Sequence, residues 1–207
     1  MPTPSININH RGTLTLLRGL VPHRTVSQRE ALQVAELQAS RLRQHLGIDE
    51  ARFPTEALDL PRIRIEYDAD LPSSGMAFWN GSTWVIVLNA TEAPTRQRFS
   101  LVHEFKHIVD HTTQDRLYGA DARRNDPAAE QAADYFAACV LMPKLYVKRH
   151  WGQGPRTPTS MAKMFGVSPA AMKYRLDQLG VLDEPERCRC SRHAYRRVLP
   201  RTLELAT

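Results

Sequence analysis

His103-Glu104-Phe105-Lys106-His107 sets two imidazoles four residues apart and places a carboxylate directly after the first. On an α-helix, residues four apart stack one turn above each other, so both rings can offer a nitrogen to a single ion. Glu104 is turned by about 100° from His103, which lets its carboxylate act as general base on a water at the ion without becoming a ligand. This spacing suits metal-assisted hydrolysis. Catalytic zinc takes three protein ligands and keeps one position open, so a third donor must come from elsewhere in the chain. Glu130-Gln-Ala-Ala-Asp134 can supply it, because its two carboxylates share a helical face beside a small, apolar stripe of Ala133, Phe136, Ala137, Val140 and Leu141. Carboxylates beside such a stripe are costly unless partnered, and a cation together with a ligand imidazole would satisfy both. Glu130 is therefore assigned to the metal. Asp134 is assigned behind it, accepting the far N–H of a ligand histidine. His111 continues the four-residue series, but eight positions on it has drifted about 80° around the helix and fits better beside the site. A longer three-histidine motif fails, since Asp110 stands where that motif needs Gly and Thr113 where it needs its last His. Without a metal the histidines would be ordinary surface residues, and the carboxylates mildly favourable charges near a helix start.

The elements that must hold these residues are legible as periodic runs. Arg96 to His111 reads as one helix, with Thr91 or Thr95 available as its cap. Asp126-Pro127 starts a second, which extends to Leu141 and stops before Pro143. Upstream, Arg62 to Tyr67 alternates polar and apolar as a strand does. Gly75 to Trp79 and Thr83 to Leu88 form a hairpin through Asn80-Gly81. Ser27 to Leu46 places Ala31, Val34, Leu37 and Leu42 at helical spacing. The expected fold is α+β: a small antiparallel sheet packed on the two ligand helices, with a helical segment after them. The expected divisions are a flexible lead-in over 1–24, a metallopeptidase domain over 25–155, a helix-turn-helix-like segment over 156–182 and a basic tail over 183–207.

The run from Arg96 to His111, followed by Glu130 to Pro143, resembles the ImmA/IrrE family of bacterial and phage metallopeptidases. The hairpin with Trp79-Asn-Gly and Val85-Ile-Val-Leu-Asn89 is similar to that family too, so the resemblance covers about residues 55 to 180. Members often carry Gly where this chain has Lys106, and a second acidic residue where it has Ala132. The resemblance implies a gluzincin-like fold and a regulatory endopeptidase that cuts a helix-turn-helix repressor, relieving repression under stress or on a mobile element. It also implies one zinc ion, with manganese accepting the same ligands. His111, Tyr118 and Tyr135 are candidate oxyanion or substrate contacts, with no ground in the sequence for choosing among them.

Ser160 to Gly180 reads as two short helices around Gly166-Val167, with Ser168 capping and Pro169 opening the second. Ala162, Gly166 and Met172 have helix-turn-helix spacing, and Lys173 and Arg175 would then face nucleic acid. A regulator that binds DNA or a repressor without cutting is the alternative function, with DNA binding the less favoured. Cys188, Cys190 and His193 in the tail lack the fourth ligand and the spacing of a structural zinc site. The net charge of +6 points weakly to acidic partners. No apolar run approaches the roughly 18 residues of a membrane span. Three cysteines do not make a disulfide framework, so a cytoplasmic location and no membrane partner are expected.

Overall fold

Local start signals fix the helices that carry the candidate ligands. A computed structural model describes residues 12–120, 126–154 and 156–182. Asp126 accepts from the amides of Ala128 and Ala129 at 2.8 and 3.4 Å, and Pro127 opens α5 (Pro127–Leu141). Helix α3 (Pro94–Asp110) opens on Pro94 with Ala93 as its uncapped neighbour. Thr91 and Thr95 thus do not cap it; the Thr91 hydroxyl donates instead to Asn89 Oδ1 at 2.6 Å. In α2 (Gln28–His45) Ser27 and Glu30 form a reciprocal capping box.

Three strands form one sheet: β1 (Ile63–Asp68), β2 (Gly75–Trp79) and β3 (Trp84–Asn89), in the order β1-β3-β2. The sheet is mixed rather than antiparallel as expected, because β1 runs parallel to β3 while β2 runs antiparallel to it. Burial explains the order. β3 is the most apolar strand, with Val85, Ile86 and Leu88 all buried, so it takes the centre and leaves β2 at the edge. The hairpin turn is as read: Asn80 Oδ1 accepts from the Ser82 and Thr83 amides, and Gly81 takes φ 100°.

The lead-in expected over 1–24 is structured in its described part. Helix α1 (Thr13–Arg18) buries Leu17 completely, and the Arg18 guanidinium donates to the carbonyls of Ile108 and Val109 at 2.8 and 3.0 Å. Those carbonyls belong to the last turn of α3, where helical partners run out. Two further helices lie where the sequence showed only loop and break: α4 (Gln114–Tyr118) and α6 (Lys144–Gln153). Each buries one residue, Leu117 and Val147 respectively, too little for a period to appear. The chain closes with α7 (Pro158–Phe165) and α8 (Pro169–Gln178), joined through Gly166 in the left-handed region.

One apolar cluster gathers residues from Leu17 to Leu176, with Phe105 of α3, Phe136 of α5 and Phe165 of α7 fully buried in it. Helix α5 packs on both α2 and α3, and its contact faces include Ala132, Ala133 and Ala137, each 0% exposed. Part of the positive surplus is turned inward. Arg43 donates to the Val140 carbonyl at 2.9 Å, and Arg98 to the carbonyls of Phe53 and Gly166 at 2.7 and 3.1 Å. No described helix is long and apolar enough to cross a membrane.

Candidate metal centre

Helix α3 presents His103 and His107 one turn apart, and the first turn of α5 brings Glu130 against them. The two Nε2 atoms are 3.1 Å apart, and the Glu130 carboxylate oxygens lie 3.2 Å from His103 Nε2 and 3.5 Å from His107 Nε2. Asp134, one turn further along α5, is 2.9 Å from His103 Nδ1. An ionised carboxylate only accepts, so Nδ1 carries a proton and Nε2 is the ring atom turned toward Glu130. Two Nε2 atoms and a carboxylate, each able to offer a lone pair, thus meet in one place. Such acceptors repel unless a proton or a cation lies among them, and two imidazoles plus one carboxylate are the donor set of a divalent site that keeps a position open. Among the described residues, these three are the group able to converge on an ion.

The electrostatics agree. Burial opposes the charge on His103, but the Asp134 hydrogen bond and the carboxylates of Glu104, Asp134 and Glu130 together hold its pKa above the ordinary value. His107 moves the other way, lowered by burial and then by the charge on His103. Rings this close cannot both be protonated. The two rings therefore hold at most one positive charge between them.

Glu104 faces the same cleft, which encloses about 880 Å³ and is walled by β2. A Cβ at Gly75 would stand 3.2 Å from Glu104 Cγ and 3.3 Å from Leu88 Cδ2, so the strand passes the glutamate closely because that position has no side chain. The sequence offered this only as a glycine opening a strand. The three proposed contact residues separate clearly. His111 lines the cleft with its ring edge on Trp84 at 4.9 Å. Tyr118 instead donates to Asp110 Oδ2 at 2.5 Å, and burial with that carboxylate raises its pKa far above the phenol range. Tyr135 donates to Glu36 at 2.9 Å across a different cavity, and burial followed by the Cys139 and Glu36 charges pushes it up to about 12.

The pair proposed for nucleic acid also separates. Lys173 is exposed, but Arg175 is 1% exposed and donates to the Met142 carbonyl at 3.1 Å and to Cys139 Sγ at 3.3 Å. Arg175 thus closes the C-terminus of α5 and cannot reach a phosphate. Spacing alone could not tell a helix's outer cation from its inner one. Lys106 also points away from the cleft: its ammonium donates to Gln38 at 2.7 Å and to Asp110 at 2.6 Å while only 1% exposed. Cys188, Cys190 and His193 lie outside the described residues.

The peptidase family described as the IrrE N-terminal-like domain matches residues 62–177, which run from the start of β1 almost to the end of α8. This chain belongs to that family. The chain is 29% identical over 101 residues to the radiation response metalloprotease IrrE of Deinococcus radiodurans, a match covering 45% of this chain and 31% of that protein. The chain spans less than a third of that relative's length. Among solved structures it is similar to a Mycobacterium tuberculosis transcriptional regulator, with a TM-score of 0.46 and 18% identity over 86% of this chain and 48% of that one. An IrrE-like domain implies a divalent metal, and the residues able to hold one here are His103, His107 and Glu130.

Proposed function

We propose that the chain is a zinc endopeptidase of the cytoplasm in which His103, His107 and Glu130 hold the ion and Glu104 is the general base. The observation that carries this reading is the meeting of two imidazole nitrogens and a carboxylate within 3.1 to 3.5 Å beside a glutamate that shares their cleft. When bound, the ion supplies Lewis acidity, stabilising charge on the scissile carbonyl oxygen and lowering the pKa of a water. Manganese would satisfy the same donors. Glu104 takes the proton of the attacking water and then passes it to the leaving amine. Asp134 keeps the Nδ1 proton and the orientation of the His103 ring, so that Nε2 stays a donor of its lone pair. The His111 ring, at the cleft and with its edge against Trp84, is the candidate donor to the developing oxyanion.

Substrate chain lies along β2, the edge strand that walls the cleft, where main-chain pairing aligns a peptide with little demand on sequence. The resemblance to ImmA/IrrE peptidases supports a helix-turn-helix repressor as the protein cut, with relief of repression as the outcome. Metal analysis of the purified chain, joined to its incubation with a repressor encoded beside it, tests the whole reading. One equivalent of zinc and a discrete cut by the native chain, with zinc kept and cutting lost in Glu104→Gln, is the expected result. Full cutting by Glu104→Gln, or no bound metal, overturns it.

A further inference from the structure

We propose that the aromatic end of the metal cleft is a selectivity subsite, receiving a bulky neutral side chain of the substrate, Phe-like or Leu-like, near the bond that is cut. This rests on the peptidase reading above. Along β2, side chains at alternate positions share a face, so Gly75, Ala77 and Trp79 lie in one row and face the same way as their β3 partners Leu88, Ile86 and Trp84. The row opens beside the Glu104 side chain and ends on a pair of indoles. Trp79 and Trp84 stand 5.6 Å apart at 58°, and His111 continues the wall with its ring at 70° to Trp84. All three line the cleft that holds Glu104, His103 and His107.

Trp79 is nevertheless 41% exposed. A large apolar ring left half in water, though fixed in orientation by its neighbours, gains by being covered, and preorganised aromatic faces are the surfaces on which peptide side chains anchor. Five strand residues span about 13 Å between the first and last at ~3.3 Å per residue, so the indoles reach a substrate residue within about four positions of the one beside Glu104. Charge selects the class of side chain. Indole faces attract cations, but the Arg62 guanidinium already lies 5.3 Å from the Trp79 ring centroid. A substrate Lys or Arg would meet that like charge, whereas a neutral apolar side chain would not. The near end is shaped differently: Gly75 and Ala77 leave no comparable wall, so selectivity is concentrated at one end of the row.

The test separates binding from cutting. The metal-loaded Glu104→Gln chain is titrated with β-forming decapeptides in which one position is Phe, Lys or Ala and that position is stepped along the peptide. At one or two adjacent positions Phe should tighten binding about tenfold or more over both Ala and Lys, as burial of one large apolar side chain allows. Trp79→Ala in the same background should erase that preference, while Trp79→Phe should keep most of it. A Phe peptide that binds no tighter at any position, a stronger gain from Lys, or a preference that survives Trp79→Ala each overturn the subsite. Incubation of the same peptides with the chain carrying Glu104 tests the peptidase reading separately: binding with selectivity but no cutting sinks that reading and leaves the subsite standing.

Discussion

The two faces of α3 both carry polar groups, and they solve opposite problems. On the inner face the Lys106 ammonium, the Asp110 carboxylate, the Gln38 amide and the Tyr118 hydroxyl close on one another, with donors matched to acceptors and the ammonium 5.7 Å from the Phe136 ring centroid. Burial lowers the Lys106 pKa, and Asp110 opposes that shift. On the cleft face His103, His107 and Glu130 bring three potential ligand groups together, so that a proton or a cation must lie among them. The first arrangement is complete and serves the fold. The second can be closed by a proton or by a metal ion. Buried or half-buried polarity is thus diagnostic only after its donors and acceptors have been counted.

Changes on the two faces should fail in different currencies. The largest effect is expected for Glu130→Ala, which should bring metal content from one equivalent to near zero by elemental analysis and abolish hydrolysis, while the circular dichroism spectrum stays native. Next comes Lys106→Ala, which strands a buried carboxylate and should cost about 3–5 kcal/mol in urea unfolding. Metal stoichiometry of whatever folds should be unchanged, and a Lys106→Met, Asp110→Asn double variant should recover part of the loss. Were Lys106→Ala to strip the metal at unchanged stability, the division between the two faces would be wrong. Asp134→Asn should then weaken metal binding by about 10–100-fold in a competition titration, because the second partner of the His103 ring loses its charge.

The smallest effect belongs to neither face and sets the scale. Glu30 is held at a pKa of about 2 by the Arg24 hydrogen bond first and then by its bonds to Ser27. A carboxylate depressed on folding adds stability above its unfolded pKa and loses that contribution as pH falls through the folded value. The gap in melting temperature between the native chain and Glu30→Gln should therefore be present at pH 7 and vanish toward pH 2. A gap that widens in acid would contradict this assignment.

The cleft face was written locally, the inner face was not. His103, Glu104 and His107 sit within one motif, and the partner helix announces itself through Asp126-Pro127, so the convergence of both helices could be anticipated from short-range pattern. Lys106 gave no such signal, since its partner Gln38 is 68 residues away. Arg18 is likewise 90 residues from the α3 carbonyl it caps, which is why the segment before residue 24 read as a loose lead-in. The parallel pairing escaped for a related reason: the hairpin suggested an antiparallel sheet throughout, while burial of Val85, Ile86 and Leu88 put β3 in the middle with β1 parallel beside it. Arg175 shows the same blindness within a helix, where period reveals a face but not what covers it.

The alanines of α5 set a gauge. Ala132, Ala133 and Ala137 give α5 only methyl groups at three fully buried positions, and Glu130 on the same helix touches the His103 ring of α3. The spacing between the two helices is a dimension of the proposed ion site, as the opening of a calliper is fixed by its screw. In that proposed site, thickening buried position 133 by two carbons should push α5 outward without altering any ligand atom, and measured metal affinity should fall from a place that never touches the ion.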